Sequence, residues 1–220
     1  MLKQSLNRWW LFGSVALILL LAFFTREVLT AHSFVYSIDI WFENLLLSVR
    51  TPFLLIIFSW ITFFGSTFVA LILAGLVSVA ILFFKINKSY LLGLAVMFIG
   101  AIASNYLIKI IIGRARPGGL IPSIAESSFS FPSGHSVMAM ALYGFIALIL
   151  CELYPKKTKM LVTIAIIVIL VIGFSRLYLG VHFSSDVIAG YILGGLWLLT
   201  GIAIKNRFQS DNRFSNYSIR

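Results

Sequence analysis

Charge is scarce in this sequence: Asp, Glu, Lys and Arg together make up 11% of 220 residues, where a soluble domain carries about 25%. That shortage excludes an ordinary soluble globular domain. Acidic side chains are scarcest, with seven in all. They are too few for a site built on two metal ions, which needs several carboxylates to hold them. A single cysteine, Cys151, excludes an intrachain disulfide. It lies inside an apolar run, where a packing role is the expectation. No internal repeat and no low-complexity tract is present, and transporters built from paired repeats usually show one.

What the chain has in abundance is apolar surface. Hydrophobic residues make up 60% of it, and the mean hydropathy is +1.03. The expectation is an all-α polytopic membrane protein, residues 1–220 forming one membrane domain. Six apolar segments are long enough to span a bilayer, at about 9–28, 53–84, 90–108, 136–153, 160–174 and 187–204. The first follows Lys3 and Arg8 like a signal peptide but lacks a convincing cleavage site, so it reads as a retained span. The second is too long for one upright span and is interrupted at Ser59 and at Gly65, Ser66 and Thr67. Either it tilts strongly, or its first part projects beyond the lipid or lies at its surface, or it splits in two.

Charge placement chooses the topology. The net charge of +10 points to cytoplasmic loops rather than to nucleic acid. With six spans and both termini cytoplasmic, the inside holds Lys3, Arg8, Lys85, Lys88, Lys156, Lys157, Lys159, Lys205, Arg207, Arg213 and Arg220. A seventh span would divide the basic groups between the two sides. The tail from Gln209, QSDNRFSNYSIR, is polar and short and reads as disordered. In the first outer connection, Trp41, Phe42, Leu45, Leu46 and Val49 recur at helical spacing, with Asp39, Glu43 and Ser48 largely opposite. That pattern suits a helix lying on the outer leaflet or one packed on the bundle. Arg26 and Arg50 read as snorkelling cations, and His32 as a structural or surface residue. Gly190 and Gly194 predict close helix packing.

Ionisable residues at membrane level are costly and mark functional sites by default. Three clusters stand out: KIIIGRARP from Lys109, PSGH from Pro132, and SRLYLGVHFSSD from Ser175. In the six-span topology all three emerge on the outer face. They bring together Lys109, Arg114, Arg116, Arg176, His135 and His182, with Asp186 the main acidic companion. Arginine forks and a lysine suit an anion with several oxygens, such as phosphate. PSGH opens a helix, whose first N–H groups attract negative charge. Ser133 is placed to cap it, and Gly134 lets an oxygen approach the backbone. His182 and Asp186, four apart, share a helical face if the last helix begins there. A carboxylate on one ring nitrogen frees the other to attack, and His135 on another span can donate a proton. Nucleophile, acid and anion clamp together spell phosphoryl transfer.

These residues resemble the signature of the type 2 phosphatidic acid phosphatase (PAP2) superfamily: K-x6-RP, then PSGH, then SR-x5-H-x3-D. Lys109, Arg116 and Pro117 fill the first part; Pro132, Ser133, Gly134 and His135 the second; Ser175, Arg176, His182 and Asp186 the third. The resemblance implies that His182 is the nucleophile, Asp186 orients it, and His135 protonates the leaving oxygen. It implies that Lys109, Arg116, Ser133, Gly134 and Arg176 hold the phosphoryl oxygens, with no metal and no cofactor. Arg114 lies outside the signature, so its role stays open. Glu126 reads as a solvated loop residue.

A site at membrane level suggests a lipid phosphate taken from the outer leaflet, with Leu120, Ile121, Phe129 and Phe131 at the lipid surface or an entry gap. Membrane lipids are the expected surroundings, with no nucleic acid and no obligate protein partner. Small chains of this kind resemble the bacterial members of the family. The implied activity is hydrolysis of phosphatidylglycerophosphate to phosphatidylglycerol in a bacterial cytoplasmic membrane, at its extracytoplasmic face. Undecaprenyl-diphosphate hydrolysis is the neighbouring alternative. An anion or lipid transporter is the alternative from a different class.

Overall fold

A computed structural model gives the structure of residues 2–30, 32–118 and 128–217. Nine α-helices follow one another in the described residues: α1 Leu2–Leu29, α2 Phe34–Ser48, α3 Pro52–Phe63, α4 Thr67–Phe83, α5 Ser89–Ile112, α6 Gly134–Met138, α7 Gly144–Leu153, α8 Thr158–Tyr178 and α9 Ser184–Tyr217. A π-helical turn, Ala139–Tyr143, joins α6 to α7, so the chain runs from Gly134 to Leu153 as one span.

Five helical segments are long and apolar enough to cross a membrane, and the bent pair α3–α4 makes a sixth. The long second segment is therefore not one straight rod. It bends by 42° at a short break, where Ser66 caps α4 through Val69 N. Gly65 sits in the break because the site lies directly behind it: a Cβ there would stand 2.5 Å from Ile172 Cγ2 and 3.3 Å from His135.

α9 is the axis of the bundle and packs most extensively on α5, then on α1 and α6. Membrane helices gain little from burying apolar surface against lipid tails, so close backbone approach carries the packing. The predicted glycine pair supplies it. A Cβ on Gly190 would fall 2.7 Å from Ser133 O, and one on Gly194 2.5 Å from Val137 O. Gly93 and Gly201 do the same where α5 crosses α9. Met97, Ala101, Val137, Leu142 and Phe145 fill the centre. At the end of the bundle away from the three motifs, Lys205 binds both oxygens of Glu152 at 2.6 and 2.9 Å, and Tyr90 donates to the same carboxylate.

Three expectations are corrected. The polar tail from Gln209 continues α9 as helix through Tyr217 rather than being disordered. Arg50 does not snorkel; it turns inward and donates from Nε to Tyr178 O at 2.7 Å. Phe131 is fully buried, so it faces no lipid, whereas Phe129 is 45% exposed. Leu120, Ile121 and Glu126 lie outside the described residues. Cys151 is a free thiol in the α7 wall, and His32 stands at the surface, its ring edge-on to Tyr36.

Candidate active site

Two helix ends aim the cations. Gly113, left-handed at φ 62°, closes α5 by donating its N–H to Lys109 O at 3.0 Å. The chain then turns back over the bundle, carrying Arg114 and Arg116 inward. Gly180, at φ 69°, ends α8 in a Schellman motif: Val181 N bonds Arg176 O and Gly180 N bonds Leu177 O. A Cβ at Gly180 would lie 2.1 Å from Arg50 Nη2, so this turn needs glycine for conformation and for space. It delivers His182 four residues before Asp186, at the entry to α9.

His182 and Asp186 meet as the spacing predicts. His182 Nδ1 lies 3.4 Å from Asp186 Oδ2. The same oxygen accepts from Phe183 N at 2.9 Å and from Ser130 Oγ at 2.5 Å. The Phe183 contact is the return half of a capping box, with Asp186 at N3 of its own helix. Ser130 Oγ also stands 3.3 Å from His182 Nδ1. Acceptors on that side place the ring proton on Nδ1, which leaves the Nε2 lone pair outward, 3.1 Å from Arg116 Nη1. Burial is the largest influence on His182 and lowers its pKa from 6.5 to about 4; Asp186 opposes the shift, while the Arg176 and Arg116 charges add to it. The ring is thus a neutral base at pH 7, with its Nε2 lone pair facing the Arg116 guanidinium.

Arg116 is held by Val181 O at 2.6 Å and Ser128 O at 2.8 Å. Lys109, on the last turn of α5, donates to Phe129 O at 2.5 Å and Ser130 O at 3.3 Å. Arg176, buried on α8, donates to Thr62 Oγ1 at 2.8 Å. Ser133 stands at the mouth of α6, but its hydroxyl does not cap the helix. It accepts instead from Ser136 Oγ at 3.1 Å, while Ser133 N ties α6 to α9 through Asp186 O at 3.0 Å. His135 and Gly134 line a cavity of about 280 Å³ together with Lys109, Asn105, Thr67 and Ser128.

Two residues of this network escaped the sequence reading. Ser130 had no signal beyond a serine-rich loop. Asp39 read only as one of the polar residues opposite the apolar face of α2; it is buried against α9. Its Oδ1 accepts from Ser185 N at 2.9 Å and Ser184 Oγ at 2.6 Å, and its Oδ2 from Ser185 Oγ at 2.5 Å. It therefore satisfies an orphan N–H in the first turn of a helix that is not its own. Arg114 links the two carboxylates, with Nη2 on Asp39 Oδ2 at 2.8 Å and Nη1 on Asp186 Oδ1 at 2.5 Å. Its guanidinium also covers the Phe183 ring at 4.3 Å. The helix α2 is thus packed on the bundle through Val35, Asp39 and Leu46, and Phe34, Ile38, Trp41 and Leu45 point outward.

Among the described residues, no three His, Cys, Asp or Glu side chains converge on a point that could hold a metal ion. The arrangement can instead bind a multi-oxygen anion between Lys109, Arg116 and Arg176 and offer it an imidazole.

Comparison with known proteins agrees with that chemistry. The model of the PAP2 superfamily matches residues 90–210. A relative called phosphatidylglycerophosphatase B from Bacillus subtilis is 36% identical over 169 residues, covering 76% of this chain and 81% of that one. An undecaprenyl-diphosphatase from Sulfolobus acidocaldarius is 31% identical, covering 56% and 58%. The crystal structure of a transmembrane PAP2-type phosphatidylglycerolphosphate phosphatase from Bacillus subtilis superposes with a TM-score of 0.80 at 33% identity, over 90% of this chain and 97% of that one.

Proposed function

The chain belongs to the PAP2 superfamily and is a multi-pass membrane lipid phosphate phosphatase; from that premise we propose that it hydrolyses phosphatidylglycerophosphate to phosphatidylglycerol through a phosphohistidine on His182. The observation that carries the mechanism is the His182 ring itself, with Asp186 at Nδ1 and Arg116 at Nε2. Nε2 attacks phosphorus, a P–N bond forms, and the P–O bond to the head-group glycerol breaks. His135 gives its proton to the departing oxygen. Water then attacks phosphorus, His135 takes the water's proton, the P–N bond breaks, and inorganic phosphate leaves.

Phosphate-monoester hydrolysis is among the slowest uncatalysed reactions, so fixed charge must supply much of the acceleration. Lys109, Arg116 and Arg176, with the Ser133 hydroxyl and the Gly134 amide, are the groups for it. All the named residues belong to this chain, and no step requires a metal ion or other cofactor. The substrate choice rests on the Bacillus subtilis relative and structure, which match most of the chain's length, where the undecaprenyl-diphosphatase matches little over half.

The test is phosphate release by purified protein in EDTA against phosphatidylglycerophosphate, undecaprenyl diphosphate and phosphatidic acid. The expected result is metal-independent turnover with the highest kcat/KM on phosphatidylglycerophosphate. Loss of turnover in EDTA would remove the mechanism, and a preference for undecaprenyl diphosphate would remove the substrate.

A further inference from the structure

Asn105 stands one turn below Lys109 on α5, on the same face of the helix. Its neighbour Ser104 is fully engaged: it donates to Gly100 O at 2.7 Å and accepts from Trp197 Nε1 at 2.8 Å. Asn105 is not. Its Oδ1 is shielded from solvent and has no hydrogen-bond partner. A buried amide oxygen is normally satisfied by protein or by what the site binds. This one borders the cavity that also holds Lys109, Gly134 and His135. Its Nδ2 lies so near Gly134 that a Cβ there would be 3.1 Å away.

The position of that cavity gives Asn105 a meaning. His135 and Lys109 line it, and His182 does not. In-line displacement puts nucleophile and leaving oxygen on opposite sides of phosphorus. If His182 attacks, the cavity on the His135 side receives the leaving group. We infer that Asn105 binds a free hydroxyl of that leaving group, next to the scissile oxygen, and so selects a polyol phosphate. The inference rests on the phosphatidylglycerophosphate reading and sharpens it. The terminal torsion of asparagine is broad, so the amide turns Oδ1 toward the hydroxyl at little cost. Thr67, at the start of α4, offers a second polar group on the same wall. The head-group glycerol of phosphatidylglycerophosphate carries such a hydroxyl. Phosphatidic acid has an acylated oxygen there, and a diphosphate has a phosphate as its leaving group.

The experiment compares kcat/KM on phosphatidylglycerophosphate with kcat/KM on an analogue whose head group is propane-1,3-diol, for the wild type, Asn105→Ala and Asn105→Leu. The wild type should prefer the hydroxylated lipid by about tenfold, the worth of one neutral hydrogen bond. Both variants should bring that ratio close to one. Each ratio is measured in one preparation, so partial misfolding cancels. Equal rates on the two lipids in the wild type would overturn the inference while leaving the proposed function intact. So would a variant that keeps the full preference. Absence of turnover on phosphatidylglycerophosphate itself would instead defeat the proposed function, and this inference with it.

Discussion

His182 meets different chemistry at its two ring nitrogens, and that difference governs its reactivity. Nδ1 faces Asp186 and Ser130, and Nε2 faces Arg116. His182→Asn should cut phosphate release by about a thousandfold or more, while inorganic phosphate still binds with comparable affinity. Loss of binding in step with turnover would show that the variant had damaged the clamp rather than removed a nucleophile. The buried ring also makes stability depend on pH. Above about 6.5 neither the folded nor the unfolded chain holds its proton. As pH falls from 6.5 toward about 4, the unfolded chain binds the proton and the folded chain does not, so stability declines through that window. Thermal unfolding in detergent at pH 7.5 and pH 5 should show the loss, and His182→Asn should show less of it. An equal loss in the variant would assign the pH dependence to other groups. At this scale the three motifs were legible because catalytic residue types and their spacing are written directly in the chain. Ser130 and Asn105 were not, since a serine in a loop and an asparagine on a helix have many uses that only their neighbours distinguish.

The element that reading placed least well is α2. Its periodicity was visible, but a helix with one apolar and one polar side can turn either toward the bundle. The side carrying Asp39 docks here, with Val35 and Leu46 beside it, because Asp39 finds an N–H and two hydroxyls at the start of α9, and a cation in Arg114. Arg114 thereby acquires the role its place outside the motif left open: it braces Asp186 from behind. Asp39→Ala and Arg114→Ala should each lower kcat by about tenfold to a hundredfold, as misplacement of a reacting group does, with KM much less affected. The double variant should lose little more than the worse single one, because both act through one network. Fully additive losses would show that Asp39 and Arg114 act separately. Similarly, the interruption in the second span was visible at Gly65, Ser66 and Thr67. The sequence did not reveal that the bend fits the chain around His135.

For the whole molecule, the positive-inside bias predicts the motifs on the extracytoplasmic side. With Cys151→Ser as background, Phe129→Cys should react with a membrane-impermeant maleimide on intact cells, and Lys157→Cys only after permeabilisation. The reverse pattern would invert the topology. The membrane-spanning all-helical class, the family and the three motifs were determined by the sequence itself, because hydropathy and motif spacing are local and additive along the chain. Tertiary structure alone decided which polar groups end up sharing an oxygen. Asp39 and Asp186 are joined through Arg114, Arg50 turns inward beneath Gly180, and Asn105 is left with an unsatisfied carbonyl. Each depends on backbones approaching within a few ångströms across segments far apart in sequence, and no periodicity or composition encodes that distance.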